Sequence, residues 1–313
     1  MSLPRILIAE PLDFSVAALD RLRQHGDVTL EAEGDLAAAF RQFDVVWVRL
    51  AREITANTIG THPRCRILAT PVTGLDHIDL DACRQQGVRV VSLKGEVEFL
   101  RNVRATSELT IALLLALLRR IPEAVSATYR GEWNRDHFRG HELFGKTAGI
   151  VGVGRLGTLV AGYLRAFGMR VLGYDPREDY PQDVAERVDT LEELFEQSDV
   201  ITIHAVYNAS TRHLIGERQF SKSRPGSVLI NTSRGGIVEE QSLLKALATN
   251  RIAGAALDVL DGEPSIDLQH PLMKYAAEHD NLLIVPHIGG NTIESFEKTE
   301  LFLAERVIEA LAS

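Results

Sequence analysis

Cysteine is nearly absent from the sequence. Cys65 and Cys83 are the only two in 313 residues, and no Cys-x-x-Cys occurs. That excludes a disulfide scaffold and a cysteine metal site, and it predicts a reduced, cytoplasmic setting with no bound metal. Long apolar runs are missing too. The longest, LTIALLLALL at 109–118, has ten residues and contains Thr110. A membrane span needs roughly 20, so this run predicts a buried core helix. The N-terminus MSLPRILIAE lacks the basic start and long apolar region of a signal peptide. Nor is there an excess of positive charge, since 34 Lys and Arg face 43 Asp and Glu, a net −9. That balance argues against nucleic acid or an anionic membrane as the main partner, while leaving room for a locally basic pocket.

What is present is alternation. Strand-like runs recur at RILIAE (5–10), VTLEAE (28–33), VVWVR (45–49), RILAT (66–70) and RVVSL (89–93), with helical stretches such as FSVAALDRLRQHG between them. The stretch RATSELTIALLLALLRRI (104–121) predicts a long helix ended by Pro122. A second series follows at TAGIVGVG, RVLGYD, VITIHA, SVLINTS, AGAALDVL and LLIVPH, and a helix closes the chain. Alternating strands and helices mean βαβ units on a parallel sheet. The expected fold is α/β, two doubly wound domains with a cleft between them.

GVGRLG at 152–157 places Gly152, Gly154 and Gly157 after an apolar strand and at the start of a helix. In that context Gly152 permits the tight turn, Gly154 lets a pyrophosphate approach the backbone, and Gly157 allows close helix packing. The helix N-terminus then offers amide donors to the phosphates. Asp175 closes the next strand, where a carboxylate accepts both adenosine ribose hydroxyls and repels a 2′-phosphate. The expected cofactor is therefore NAD rather than NADP, with Arg177 as a cation able to accommodate the extra phosphate in part.

Ligands of doubly wound sheets lie beyond the carboxyl ends of the strands. Three later strand ends carry reactive side chains: Ser233 and Arg234 after SVLINT, Asp258, Asp261 and Glu263 after AGAAL, and His287 after LLIVP. Arginine's planar fork suits a substrate carboxylate. Histidine exchanges protons near neutral pH, and a carboxylate on its ring fixes the tautomer and favours the charged form. Either Glu263 or Asp258 can be that carboxylate, with Glu263 preferred. Each residue also has a plainer reading, such as an ion pair of Arg234 with Glu239 or a solvated Glu263.

Taken together, GKTAGIVGVGRLG, GYDP, NTSRGGIVEEQSLLKAL, AGAALDVLDGEP, PHIGG and TPVTGLDHIDL resemble the D-isomer-specific 2-hydroxyacid dehydrogenase family, most closely its 3-phosphoglycerate dehydrogenase-like branch. The resemblance implies two flavodoxin-like domains, a substrate domain over 1–100 plus 290–313 and an NAD domain over 101–289. It implies that Arg234 binds the substrate carboxylate, that His287 is the acid/base and that Glu263 is its partner. Backbone amides of Val72, Thr73 and Gly74 would also hold the carboxylate. Thr106, Arg155, Leu156, Asp175, Thr232, Ser233, Asp258 and Gly290 fall at cofactor positions, with Asp258 near the carboxamide. Arg49, ending VVWVR, is a further candidate for a substrate phosphate or carboxylate, its plainer partners being Glu53 or Glu10. A homodimer through the NAD domain is expected, and the regulatory domain of many relatives is not.

Departures from the family pattern are Val206, where a proline is usual, and the segment SLKGEVEFLRNVRATSE (92–108) with Lys94, Glu96, Glu98, Arg101 and Arg104. The expected reaction is NADH-dependent reduction of a 2-oxo acid to the (R)-2-hydroxy acid, reversibly. A second reading is an NAD(H)-sensing interaction protein of the same fold, like the corepressors of this family. A third, an adenosylhomocysteine hydrolase type, fits poorly with TPVTGLDHIDL and PHIGG.

Overall fold

A computed structural model describes residues 3–31 and 33–312. The chain divides into two compact units, one comprising the chain up to Val103 and from Asn291 onward, the other Arg104–Gly290. They are called here the terminal and the central unit.

The terminal unit is built on β1 (Arg5–Ile8), β2 (Asp27–Leu30), β3 (Val45–Trp47), β4 (Ile67–Thr70) and β5 (Arg89–Ser92), in spatial order β2-β1-β3-β4-β5. Every pairing is parallel. Successive side chains of a strand point to opposite faces, so β1 serves two cores. Ile6 and Ile8 pack with Trp47 and with Leu303, Ala304 and Val307 of the closing helix Ile293–Ala312. Leu7 packs on the other face with Phe40, Val46, Ile59 and Leu68. Burial on both faces explains why β1, β3 and β4 read as apolar runs rather than as alternations.

The segment 92–103 also belongs to this unit. It contains a short helix, Val97–Leu100, that the sequence pattern did not reveal. Glu96 pairs with Arg306 at 3.2 Å, and Phe99 stacks on Phe302 with ring centroids 3.9 Å apart. Glu96 and Phe99 thus fasten the segment to the closing helix, whereas Glu98 and Arg101 pair with each other at 3.2 Å.

The central unit carries β6 (Thr147–Val151), β7 (Arg170–Tyr174), β8 (Glu186–Arg187), β9 (Val200–Ile203), β10 (Val228–Asn231), β11 (Gly254–Leu257) and β12 (Leu282–Ile284). Their order is β12-β11-β10-β9-β6-β7-β8, again all parallel. The reversal of direction falls between β6 and β9, the switch point at which such sheets bind ligands. The run 109–118 lies inside the helix Ala105–Leu118, with Leu113, Leu114 and Leu118 buried against β6 and the helix Arg155–Ala166.

That helix is shorter than the pattern suggests. It stops at Leu118, Arg120 turns left-handed (φ 52°), and Pro122 sits in the first turn of a new helix, Ile121–Tyr129. Proline lacks an N–H that a first turn would leave unbonded anyway, so it starts this helix rather than only ending the previous one. Among the described residues no helix is long and apolar enough to cross a membrane.

Candidate active site

The glycine loop between β6 and the helix Arg155–Ala166 has the geometry its spacing demands. Gly152 lies at φ 90°, and a Cβ there would meet the backbone of Ala205 at 2.7 Å. A Cβ on Gly157 would come within 2.2 Å of the Gly152 carbonyl oxygen, so helix and turn touch only because Gly157 is bare. Gly154, the N-cap, has nothing within 4 Å of its Cβ position. An open space over a helix N-terminus suits a pyrophosphate. Arg155 and Leu156 follow in the first turn, half-buried, and burial pulls the Arg155 guanidinium below its usual range.

Asp175 stands one residue past β7, buried. Its Oδ2 accepts the Val153 N–H at 2.9 Å, tying it to the glycine loop. Its Oδ1 accepts the backbone N–H and the Nε of Arg177 at 3.1 and 3.0 Å, and Arg177 Nη2 donates to the Val153 carbonyl. Burial works to raise this carboxyl, but these hydrogen bonds and the Arg177 charge outweigh it and hold it below the usual carboxylate range.

Three loops at the carboxyl edge bring the reactive residues into place. At the end of β10, the buried Asn231 accepts the Ser233 N–H on Oδ1 and donates from Nδ2 to the Arg234 carbonyl, both at 3.0 Å. Ser233 Oγ donates to the Ala205 carbonyl, and Thr232 Oγ1 lies 2.8 Å from Thr110 Oγ1. Thr110 in turn donates to the Thr106 carbonyl. After β12, His287 sits at φ 52°, a left-handed backbone that histidine adopts uncommonly.

Asp258, beyond β11, holds that strained turn. Its carbonyl accepts the His287 N–H at 2.8 Å, and its carboxylate accepts the N–H groups of Ile288 and Gly289 at 2.6 and 2.9 Å. A Cβ on Gly289 would strike Asp258 Oδ2 at 2.7 Å and Thr106 Cγ2 at 3.1 Å, so Thr106, Asp258 and this glycine meet at one point. Asp258 is 1% exposed, and burial pushes its carboxyl up to about 6, assisted by the Glu263 charge. The two N–H donors and the His287 charge pull the other way.

The imidazole itself faces a different acid. Glu263 Oε1 lies 3.1 Å from His287 Nδ1, with the two side chains 26% and 24% exposed. The two carboxylates after β11 therefore divide the work: Asp258 grips the backbone around His287, and Glu263 meets its ring. A carboxylate on Nδ1 fixes the tautomer and leaves Nε2 to exchange a proton with a ligand.

The other candidates lie in the terminal unit. Val72, Thr73 and Gly74 follow β4, and the Leu93 N–H donates to the Val72 carbonyl at 3.2 Å. The N–H groups of Thr73 and Gly74 make no hydrogen bond among the described residues. Arg49 donates from Nε at 2.9 Å and Nη2 at 2.5 Å to Glu300, and from Nη1 to the Leu12 carbonyl. Neither Glu53 nor Glu10 is its side-chain partner, although Glu10 accepts the Arg49 backbone N–H.

Residues 111–289 match the profile of the D-isomer specific 2-hydroxyacid dehydrogenase NAD binding domain. The chain belongs to that family. A D-3-phosphoglycerate dehydrogenase of Methanocaldococcus jannaschii is 33% identical over 98% of this chain, which spans only 57% of that relative's length. A hydroxypyruvate reductase of Thermotoga maritima is 32% identical over 98% of both chains. Among solved structures, D-lactate dehydrogenase from Aquifex aeolicus, complexed with NAD and lactic acid, superposes with a TM-score of 0.82 at 26% identity. That match covers 98% of this chain and 94% of the other. Residues 111–289, which fall within the central unit, are accordingly an NAD-binding domain of the 2-hydroxyacid dehydrogenase family.

Proposed function

We propose that the chain is an NAD-dependent D-2-hydroxyacid dehydrogenase, interconverting a 2-oxo acid and the (R)-2-hydroxy acid. The observation that carries this reading is the half-exposed His287–Glu263 pair, on loops at the carboxyl edge of the sheet that holds the glycine loop. When bound, NADH would supply the hydride that the carbonyl carbon takes up. His287 gives a proton to the carbonyl oxygen, and in the reverse direction takes it from the hydroxyl. Glu263 keeps the imidazole in the tautomer that presents Nε2. Arg234 binds the substrate carboxylate with its planar fork, aided by the N–H groups of Val72, Thr73 and Gly74. Thr106, Arg155, Leu156, Asp175, Thr232, Ser233, Asp258 and Gly290 serve the cofactor. The central unit is thus the NAD domain and the terminal unit the substrate domain.

A homodimer accompanies this reading. Tyr129 and Trp133 are 86% and 90% exposed, with Ile121, Val125 and Phe144 exposed nearby along the chain. Apolar groups of this size, so displayed, favour burial by a second copy. A reduced, cytoplasmic setting agrees with Cys65 and Cys83, both free and buried, whose thiols burial pushes up to about 12 and about 11.

The test is NADH oxidation with glyoxylate, hydroxypyruvate, pyruvate and phosphohydroxypyruvate, repeated with NADPH. His287→Ala should cut turnover by about 10²–10⁴-fold with NADH affinity nearly intact. Retained turnover overturns the acid/base role, and a clear NADPH preference overturns that of Asp175. No turnover on any oxo acid, together with NADH-responsive binding of another protein, favours the sensing role.

A further inference from the structure

Glu263 is carried by an irregular stretch, residues 261–270, that belongs to no strand or helix. One carboxylate outside the stretch touches both its ends. Glu240, the first residue of the helix Glu240–Ala248, accepts the Asp261 N–H on Oε1 at 2.9 Å. Its other oxygen, Oε2, lies 3.1 Å from His270 Nε2, with Glu240 and His270 side chains only 21% and 16% exposed. His270 is in turn the N-cap of the helix Pro271–Glu278, so the end it marks is itself anchored. Between the two ends, Ile266 packs against the core, while Gly262 turns left-handed.

A bond to one end of such a stretch would leave the other free to swing. With each oxygen assigned to a different end, the carboxylate fixes their separation, and with it the direction in which Glu263 leaves the loop. Groups held this way keep the sub-ångström geometry that proton transfer rewards.

We propose that Glu240 is a positioning residue for the His287–Glu263 pair, acting through both ends of the 261–270 loop. The inference rests on the dehydrogenase reading, in which Glu263 orients His287. The competing account is an acid in the first turn of a helix, favourable to its dipole and to stability alone.

A double-mutant cycle separates the two. Glu240→Ala, Glu263→Gln and the double variant are compared for kcat and KM on the best oxo acid, for NADH affinity by fluorescence and for melting temperature. Glu240→Ala should lower kcat about tenfold with KM and NADH affinity within about twofold, and should add little once Glu263 is replaced. Glu240→Gln should recover most of the loss, since its amide oxygen still accepts from Asp261 and its NH₂ can donate to the His270 ring. Additive losses, or an unchanged kcat in Glu240→Ala, overturn the proposal. Should Glu240→Ala fail to fold, His270→Ala repeats the cycle at the other end of the loop. If the chain reduces no oxo acid, NMR titration of the His287 imidazole decides. A midpoint displaced in Glu240→Ala in the same direction as in Glu263→Gln supports positioning. Displacement in Glu263→Gln alone overturns it, and displacement in neither overturns the orienting role of Glu263 itself.

Discussion

The two units share an architecture and use buried charge in opposite ways. In the terminal unit, Arg49 at the end of β3 meets Glu300, which is 0% exposed and also accepts the Ser15 N–H. Arg49 lies 4.3 Å from the Phe296 ring centroid as well. This cluster joins an early strand to the last helix, 251 residues away in sequence. In the central unit Asp258 grips backbone N–H groups of a loop, and Asp175 adds two backbone N–H groups to its pairing with Arg177. What stays partly open there is the His287–Glu263 pair. One unit's buried charge ties an early strand to the last helix; the other's braces loops at the carboxyl edge of its sheet.

Substitutions should separate along the same line. The largest expected effect is on rate, in the central unit. Arg234→Lys keeps the charge and loses the fork, so kcat/KM for the oxo acid should fall about 100-fold while the urea midpoint holds. Equal loss of stability would erase the contrast. In the terminal unit, Glu300→Ala strands the Arg49 charge and should cost about 3 kcal/mol in urea unfolding, with kcat of the folded fraction little changed. A collapse of kcat without loss of stability would place Glu300 in the reaction instead.

The smallest effect concerns acidity. Asp258, pushed up to about 6 from an ordinary value of 3.8, holds its proton more tightly folded than unfolded. Its stabilising contribution is therefore complete below about pH 3.8 and is lost as pH rises through about 6. Asp258→Asn should flatten that part of the stability curve between pH 4 and 6, read as urea midpoints. Glu300, raised by burial as well, keeps its own share of the slope.

Legibility from sequence followed the range of the interaction. The glycine loop was readable because its requirements are local: the turn at Gly152 and the near-contact of Gly157 are set within six residues. The eleven longer strands were readable as apolar runs, whereas β8 has only two residues at a sheet edge and leaves no pattern. Pro122 misled because a proline marks a helix end and a helix start alike. The stretch 92–103 hid its short helix because its order comes from Arg306 and Phe302 of a helix far along the chain. Glu240 was missed for a related reason, since it serves the backbone of a loop 21 residues away, which imposes no residue pattern on either partner. The choice between Glu263 and Asp258 likewise needed coordinates, since both follow the same strand.

The left-handed backbone at His287 has a consequence for anyone selecting better-behaved versions of this protein. Glycine and asparagine tolerate that conformation with less strain, so His287→Gly or His287→Asn should melt later than the parent, gaining about 1 kcal/mol. The same variants should lose turnover. A screen scored on heat resistance would thus discard the imidazole first, and a screen scored on activity would restore it.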